Sequence, residues 1–121
     1  MELHIEEVKI GDYVKVKKGI KCPDFEYQLI EDWQGKVIDI QKKQKLIDIE
    51  WDSKTLLNTP ENYLRDLITG GYNYESMTLE ISELERANRR DSPDERKDIK
   101  SKLEAKFYWI ELFDDHEKSI K

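Results

Sequence analysis

Apolar and polar residues alternate with a period of two through much of the first half of the chain. In Tyr13-Val14-Lys15-Val16-Lys17 this alternation puts Val14 and Val16 on one face and the lysines on the other, which predicts a half-buried strand. Gly11 and Gly19 bracket it as turn or bulge positions. Residues 20–33 carry Pro23 and no sustained periodicity, and so read as a long loop of the kind that tends to be functional. Residues 34–40 and 46–51 predict two more strands, with Ile38 and Ile40, then Ile47, Ile49 and Trp51, recurring at every second position. The wholly polar stretch 41–45 between them is expected at a solvated hairpin tip. A short run follows at 54–59, and residues 77–81 alternate again as the expected last strand.

Two stretches carry helical signals instead. Thr59-Pro60-Glu61-Asn62 opens a helix with Thr59 as N-cap and Pro60 in the first turn; Asn62 is a weaker substitute for the Glu or Gln of a capping box. Tyr63, Leu64, Leu67 and Ile68 form its apolar stripe, and Gly70-Gly71 ends it. Residues 85–91 are polar without an apolar period and mark the end of the β core. Ser92-Pro93-Asp94-Glu95 is the stronger start, and Ile99, Leu103, Phe107 and Ile110 follow on one helical face. Six of the seven residues from Phe107 to Phe113 are apolar. Either this segment packs over the open side of the β core or it is a self-association surface. Its helix is buried on several sides, or it breaks near Trp109 and restarts at Asp114.

Composition narrows the class. A chain of 121 residues is about one domain long, and twelve aromatics argue for a folded core despite a charged fraction of 40%. The net charge of −6 supplies no overall footprint for nucleic acid. Cys22 is the only cysteine, which excludes an intramolecular disulfide and a cysteine-based zinc cluster and fits a reducing compartment. The N-terminal Met1-Glu2-Leu3-His4-Ile5-Glu6-Glu7 has acids where a secretion signal needs bases, and no run of eighteen apolar residues occurs, so a soluble cytoplasmic protein is expected. His4 and His116 lie at opposite ends, Cys22 has no adjacent His, and no nucleophile elbow, phosphate loop or zinc-protease spacing is present. The expectation is a non-enzyme without a cofactor.

The phrases Ile10-Gly11-Asp12-Tyr13-Val14-Lys15-Val16, Asp32-Trp33-Gln34-Gly35-Lys36-Val37 and Ile49-Glu50-Trp51-Asp52 resemble, in this order, the mind-bomb-type branch of small SH3-like barrels. The chain also resembles a group of small uncharacterised prokaryotic proteins, some labelled calcium-binding, through Cys22-Pro23-Asp24-Phe25 and Glu50-Trp51-Asp52-Ser53-Lys54-Thr55-Leu56. This resemblance implies a mainly β fold: an SH3-like barrel of about five strands over residues 1–90, with a short helix before the last strand. A helical extension over residues 91–121 would pack on it.

In such a barrel Tyr13, Phe25, Tyr27, Trp33 and Trp51 would sit near the long loop and the open rim, where aromatic walls grip a peptide or a cationic side chain. Trp33 and Trp51 are equally readable as core plugs. Asp24, Glu26, Glu31 and Asp32 lie in the same loop, with Asp52 expected nearby; they are either a calcium site or a solvated acidic surface. Eight lysines between residues 12 and 45 outnumber the acids, and Lys15 with Lys17 make either a phosphate-touching stripe or a guard against edge-to-edge pairing. The leading expectation is a non-catalytic module that binds a peptide or partner protein through Tyr13, Phe25, Tyr27, Trp33, Asp24 and Asp32. The alternatives are a nucleic-acid accessory domain and a calcium-responsive domain. A monomer is favoured over a dimer built on the C-terminal aromatics.

Overall fold

The computed structural model describes residues 3–120, with side chains through Phe107. Its strands are β1 (Tyr13–Val16), β2 (Gln34–Gln41), β3 (Leu46–Trp51), β4 (Ser76–Glu80) and β5 (Leu84–Arg86). Its helices are α1 (Ser53–Leu57), α2 (Glu61–Thr69) and α3 (Pro93–Ile120). The chain is mainly β, and the strands form one antiparallel sheet in the order β4-β3-β2-β1-β5.

Alternation predicts β1 and β3 correctly. Val14 and Val16 are buried while Lys15 faces outward, and Ile47, Ile49 and Trp51 are buried in turn. In β2 the expected phase fails midway. The β2–β3 register shifts between Val37 and Asp39, so Gly35 and Val37 face the core before this bulge and Ile40 turns partly inward after it. Ile38 is left outside, 39% exposed. Gly35 is required where it stands, because a Cβ there would lie 2.3 Å from the Glu50 carbonyl oxygen and 2.7 Å from Ile49 Cγ2. At the polar hairpin tip Lys45 adopts φ 58° and its N–H donates to the Lys42 carbonyl over 3.2 Å.

The sheet does not close into a barrel. Its edges are β4 and β5, joined by the 3-10 turn Ile81–Glu83 and not by a hairpin; Glu80 and Glu83 cap that turn reciprocally. Five strands are present, but the run 54–59 is not among them. Asp52 captures it as α1 by accepting from the Thr55 N–H at 2.8 Å, a local cap that decides for helix. The fifth strand is β5, which pairs with β1 over three residues and buries Leu84. Residues 77–81 therefore contribute the penultimate strand. β1 is consequently interior to the sheet, so its lysines guard no edge.

The α2 start also differs: Pro60 is the N-cap, and the Thr59 hydroxyl donates to the Thr55 carbonyl at 2.7 Å instead of capping. The helix ends as expected. Gly71 has φ +78° and Tyr72 N–H closes back on the Leu67 carbonyl at 2.8 Å. At α3 the capping box forms, with Glu95 N–H donating to Ser92 Oγ at 3.1 Å and Ser92 N–H to Glu95 Oε1 at 3.3 Å. Leu103 and Phe107 join the same hydrophobic core as the strands, with Ile99 half-buried beside them. The helix packs on α1 and α2, and the Phe107 ring meets Tyr74 at 4.4 Å. It also reaches the end of β3 through Arg96, whose Nε–H donates to the Trp51 carbonyl at 2.8 Å. Trp109, Ile110 and Phe113 lie outside the described side chains. Among the described residues no helix is long and apolar enough to cross a membrane.

Candidate functional site

The long loop after β1 is ordered by its own backbone. Cys22 N–H donates to the Gln28 carbonyl, Gln28 N–H to Phe25 and Ile30 N–H to Ile20, each at 2.9 Å, while Cys22 and Ile30 are buried anchors. Residues 23–27 therefore form a fixed tip. Tyr63 holds it from beneath: its hydroxyl donates to Cys22 Sγ at 3.1 Å, and burial pushes its phenol well above the ordinary tyrosine range.

Tyr63 is also the centre of an edge-to-face ring network. Phe25 lies 6.0 Å from it, Tyr27 6.5 Å and Trp33 5.7 Å; Phe25 meets Tyr72 at 5.3 Å, and Trp33 meets Trp51 at 5.4 Å. Exposure rises along this chain. Trp51 is 2% exposed and Trp33 and Phe25 are half-buried, whereas Tyr72 and Tyr27 are 45% and 55% exposed. Beside the rings is a groove of about 400 Å³ lined by Pro23, Asp24, Tyr63, Leu67, Tyr72 and Met77, with smaller polar residues completing it. Asp24 is its one charged lining residue. Tyr27 donates a short hydrogen bond to Asp66 Oδ2, and this bond raises its pKa to about 12.

The structure brings together only part of the expected set. Phe25, Tyr27 and Asp24 share the loop tip. Trp33 lies beneath it as a link to the core, and Trp51 is a core plug. Tyr13 lies elsewhere, in a cavity with Lys36 and α3 residues. Asp32 is exposed with φ 66°, and Glu31 accepts from the Gly19 N–H at 3.4 Å. Among the described residues no three His, Cys, Asp or Glu side chains gather as metal ligands, so Asp24, Glu26, Glu31 and Asp32 do not converge. Asp52 is not near that loop's acids in function: it is 4% exposed, caps α1, and takes Arg90 at 2.8 Å on both oxygens. The lysine stripe is occupied as well, Lys15 by Glu85 at 3.2 Å and Lys17 by the Ser82 carbonyl at 2.8 Å.

Sequence reasoning missed Tyr63, Tyr72 and Asp66 as site residues. Tyr63 was legible only as part of a helical stripe. Tyr72 follows the Gly70-Gly71 stop, and an aromatic placed directly after a helix-ending glycine pair is the one local signal that it sits at a corner. No protein-family model, curated protein or solved structure matches the chain.

Proposed function

We propose that the protein is a non-catalytic interaction module that takes up a basic segment of a partner protein in the groove beside Tyr72 and Asp24. One observation carries this reading: the exposed Tyr27 and Tyr72 rings, held edge to face by Phe25, which itself rests on buried Tyr63, stand next to a groove whose only charged lining residue is an acid. Rings already fixed by their neighbours lose little entropy on binding, their faces attract cations, and Asp24 with nearby exposed Glu26 adds complementary charge. The five-stranded order, the bulge in β2 and the 3-10 turn before β5 support an opened relative of the SH3-like, mind-bomb-type arrangement. We place it in the cytoplasm as a monomer, on its single buried cysteine and on α3 residues committed to their own core.

The test is fluorescence anisotropy with a labelled Lys/Arg-rich peptide and its Glu-substituted counterpart. The basic peptide binds and the acidic one does not, and Tyr72→Ala weakens binding by about tenfold, the effect of losing roughly 1.4 kcal/mol from one aromatic contact. Equal binding of both peptides, or no effect of Tyr72→Ala, overturns the reading.

A further inference from the structure

A second cavity, of about 280 Å³, shares no lining residue with the aromatic groove. It lies where β1, β2 and the end of β3 meet the first turns of α3. Its three acids are already engaged by the chain itself. Glu50 pairs with Arg96 at 3.3 Å, both Asp52 oxygens accept from Arg90, and Asp91 Oδ2 accepts from the Ser53 N–H at 2.6 Å. Its cations are not balanced in the same way. The side chains of Lys36 in β2 and Lys97 in α3 make no hydrogen bond or ion pair with any described residue, and the Arg89 side chain uses only its Nε–H, on the Asp91 carbonyl. Three elements thus direct uncompensated positive charge at one cavity whose apolar walls are the Tyr13 ring and Pro93.

Like charges held together repel, and a bound anion relieves that cost; a dianion does so better than a carboxylate because Arg96 and Lys100 are paired with Glu50 and Glu75, Asp91 has no cation of its own, and the surplus is about two charges. Lysines act on phosphate as point charges and an arginine adds a directional fork. The volume falls just below the usual range for small-molecule sites, roughly 300–1,000 Å³, and so suits only a small ligand. We infer that this cavity binds a small organic phosphate monoester, its phosphoryl oxygens on Lys36, Arg89 and Lys97 and its organic part against Tyr13 and Pro93.

The probe is phenyl phosphate, titrated into the full-length protein and followed by amide chemical shifts. Shifts at Tyr13, Lys36, Ser92 and Lys97, saturating at millimolar concentration or below, are expected. Affinity falls as the pH passes below about 6, where the dianion protonates. Lys36→Gln combined with Lys97→Gln weakens binding by tenfold or more with the amide dispersion of the fold retained, and Tyr72→Ala leaves it unchanged, so this site and the peptide groove fail independently. No shifts at these residues, or binding undiminished in the double variant, overturns the proposal. Inorganic phosphate binding as tightly as phenyl phosphate overturns the role of Tyr13 and Pro93, and a short single-stranded oligonucleotide binding more tightly than either overturns the assignment to a monoester.

Discussion

Two parts of the molecule use polar and aromatic groups in opposite ways. At the corner of residues 51–53 the chain consumes what it offers. The Asp52 carboxylate caps α1 and takes Arg90 on both oxygens, and Thr55 Oγ1 accepts from the Gln34 N–H at 3.0 Å and donates to the Gln34 carbonyl at 3.1 Å. Arg96 Nε donates to the Trp51 carbonyl at 2.8 Å. A buried carboxylate is tolerable only when its lone pairs are used in this manner. At the aromatic groove, by contrast, the Tyr27 and Tyr72 rings remain open to solvent, and the Tyr27–Asp66 bond is exposed. The corner's groups hold the fold together, whereas the groove's outer rings stay exposed.

The largest effect expected from this contrast is that of removing residues 92–121. Leu103 and Phe107 each contribute roughly 1.5–3 kcal/mol of burial, and the Arg96 clamp on Trp51 goes with them, from a fold only about 5–15 kcal/mol stable. The truncated chain should lose its cooperative thermal melt by circular dichroism; a cooperative melt near that of the full chain would break the comparison. Arg90→Ala comes next. It strips a nearly buried Asp52 of its counter-charge and should cost about 3 kcal/mol in a denaturant titration, at the low end for a broken buried pair because the Arg90 side chain is 30% exposed. A loss under about 1 kcal/mol would show that water replaces the guanidinium.

Tyr63→Phe sharpens the contrast from the groove side. It keeps the ring network and removes only the hydroxyl on Cys22, so the expected cost is about 0.5–1.5 kcal/mol. A cost equal to that of Arg90→Ala would place a structural corner beneath the groove as well. The smallest effect is confined to alkaline pH. The Asp66 hydrogen bond raises the Tyr27 pKa to about 12, and burial does the same for Tyr74. The folded chain therefore holds these protons more tightly than the unfolded one: the linked stability is full below pH 10 and is lost as pH rises through about 12. In Tyr27→Phe the melting temperature should decline less over that window, and phenolate absorbance should show one fewer late-titrating tyrosine. An unchanged decline would mean that the Asp66 bond is absent in solution.

Local features carried most of what could be read in advance. The alternation of Val14 and Val16, the Ile47, Ile49 and Trp51 face, the Gly70-Gly71 stop and the Ser92–Glu95 capping box all depend on residues within about one helical turn or strand, and each appears where its pattern puts it. The misses share a different cause. Ile38 faces solvent because a bulge against β3 changes the phase of β2, and no residue inside β2 announces it. β5 is three residues long and exists only because β1 offers it an edge. The candidate site divides in the same way: the loop's Phe25, Tyr27 and Asp24 were visible as a cluster, but Tyr63 reaches Cys22 across 41 positions and Asp66 reaches Tyr27 across 39. Asp52 looked like a loop acid until Arg90, 38 residues away, claimed it. Periodicity and caps are encoded in neighbours along the chain, so sequence alone determined β1, β3, the end of α2, the start of α3 and the aromatic-acidic loop. Which rings meet, which acids stay free and which strands are edges depend on pairs brought together by packing, and only the tertiary structure decided those.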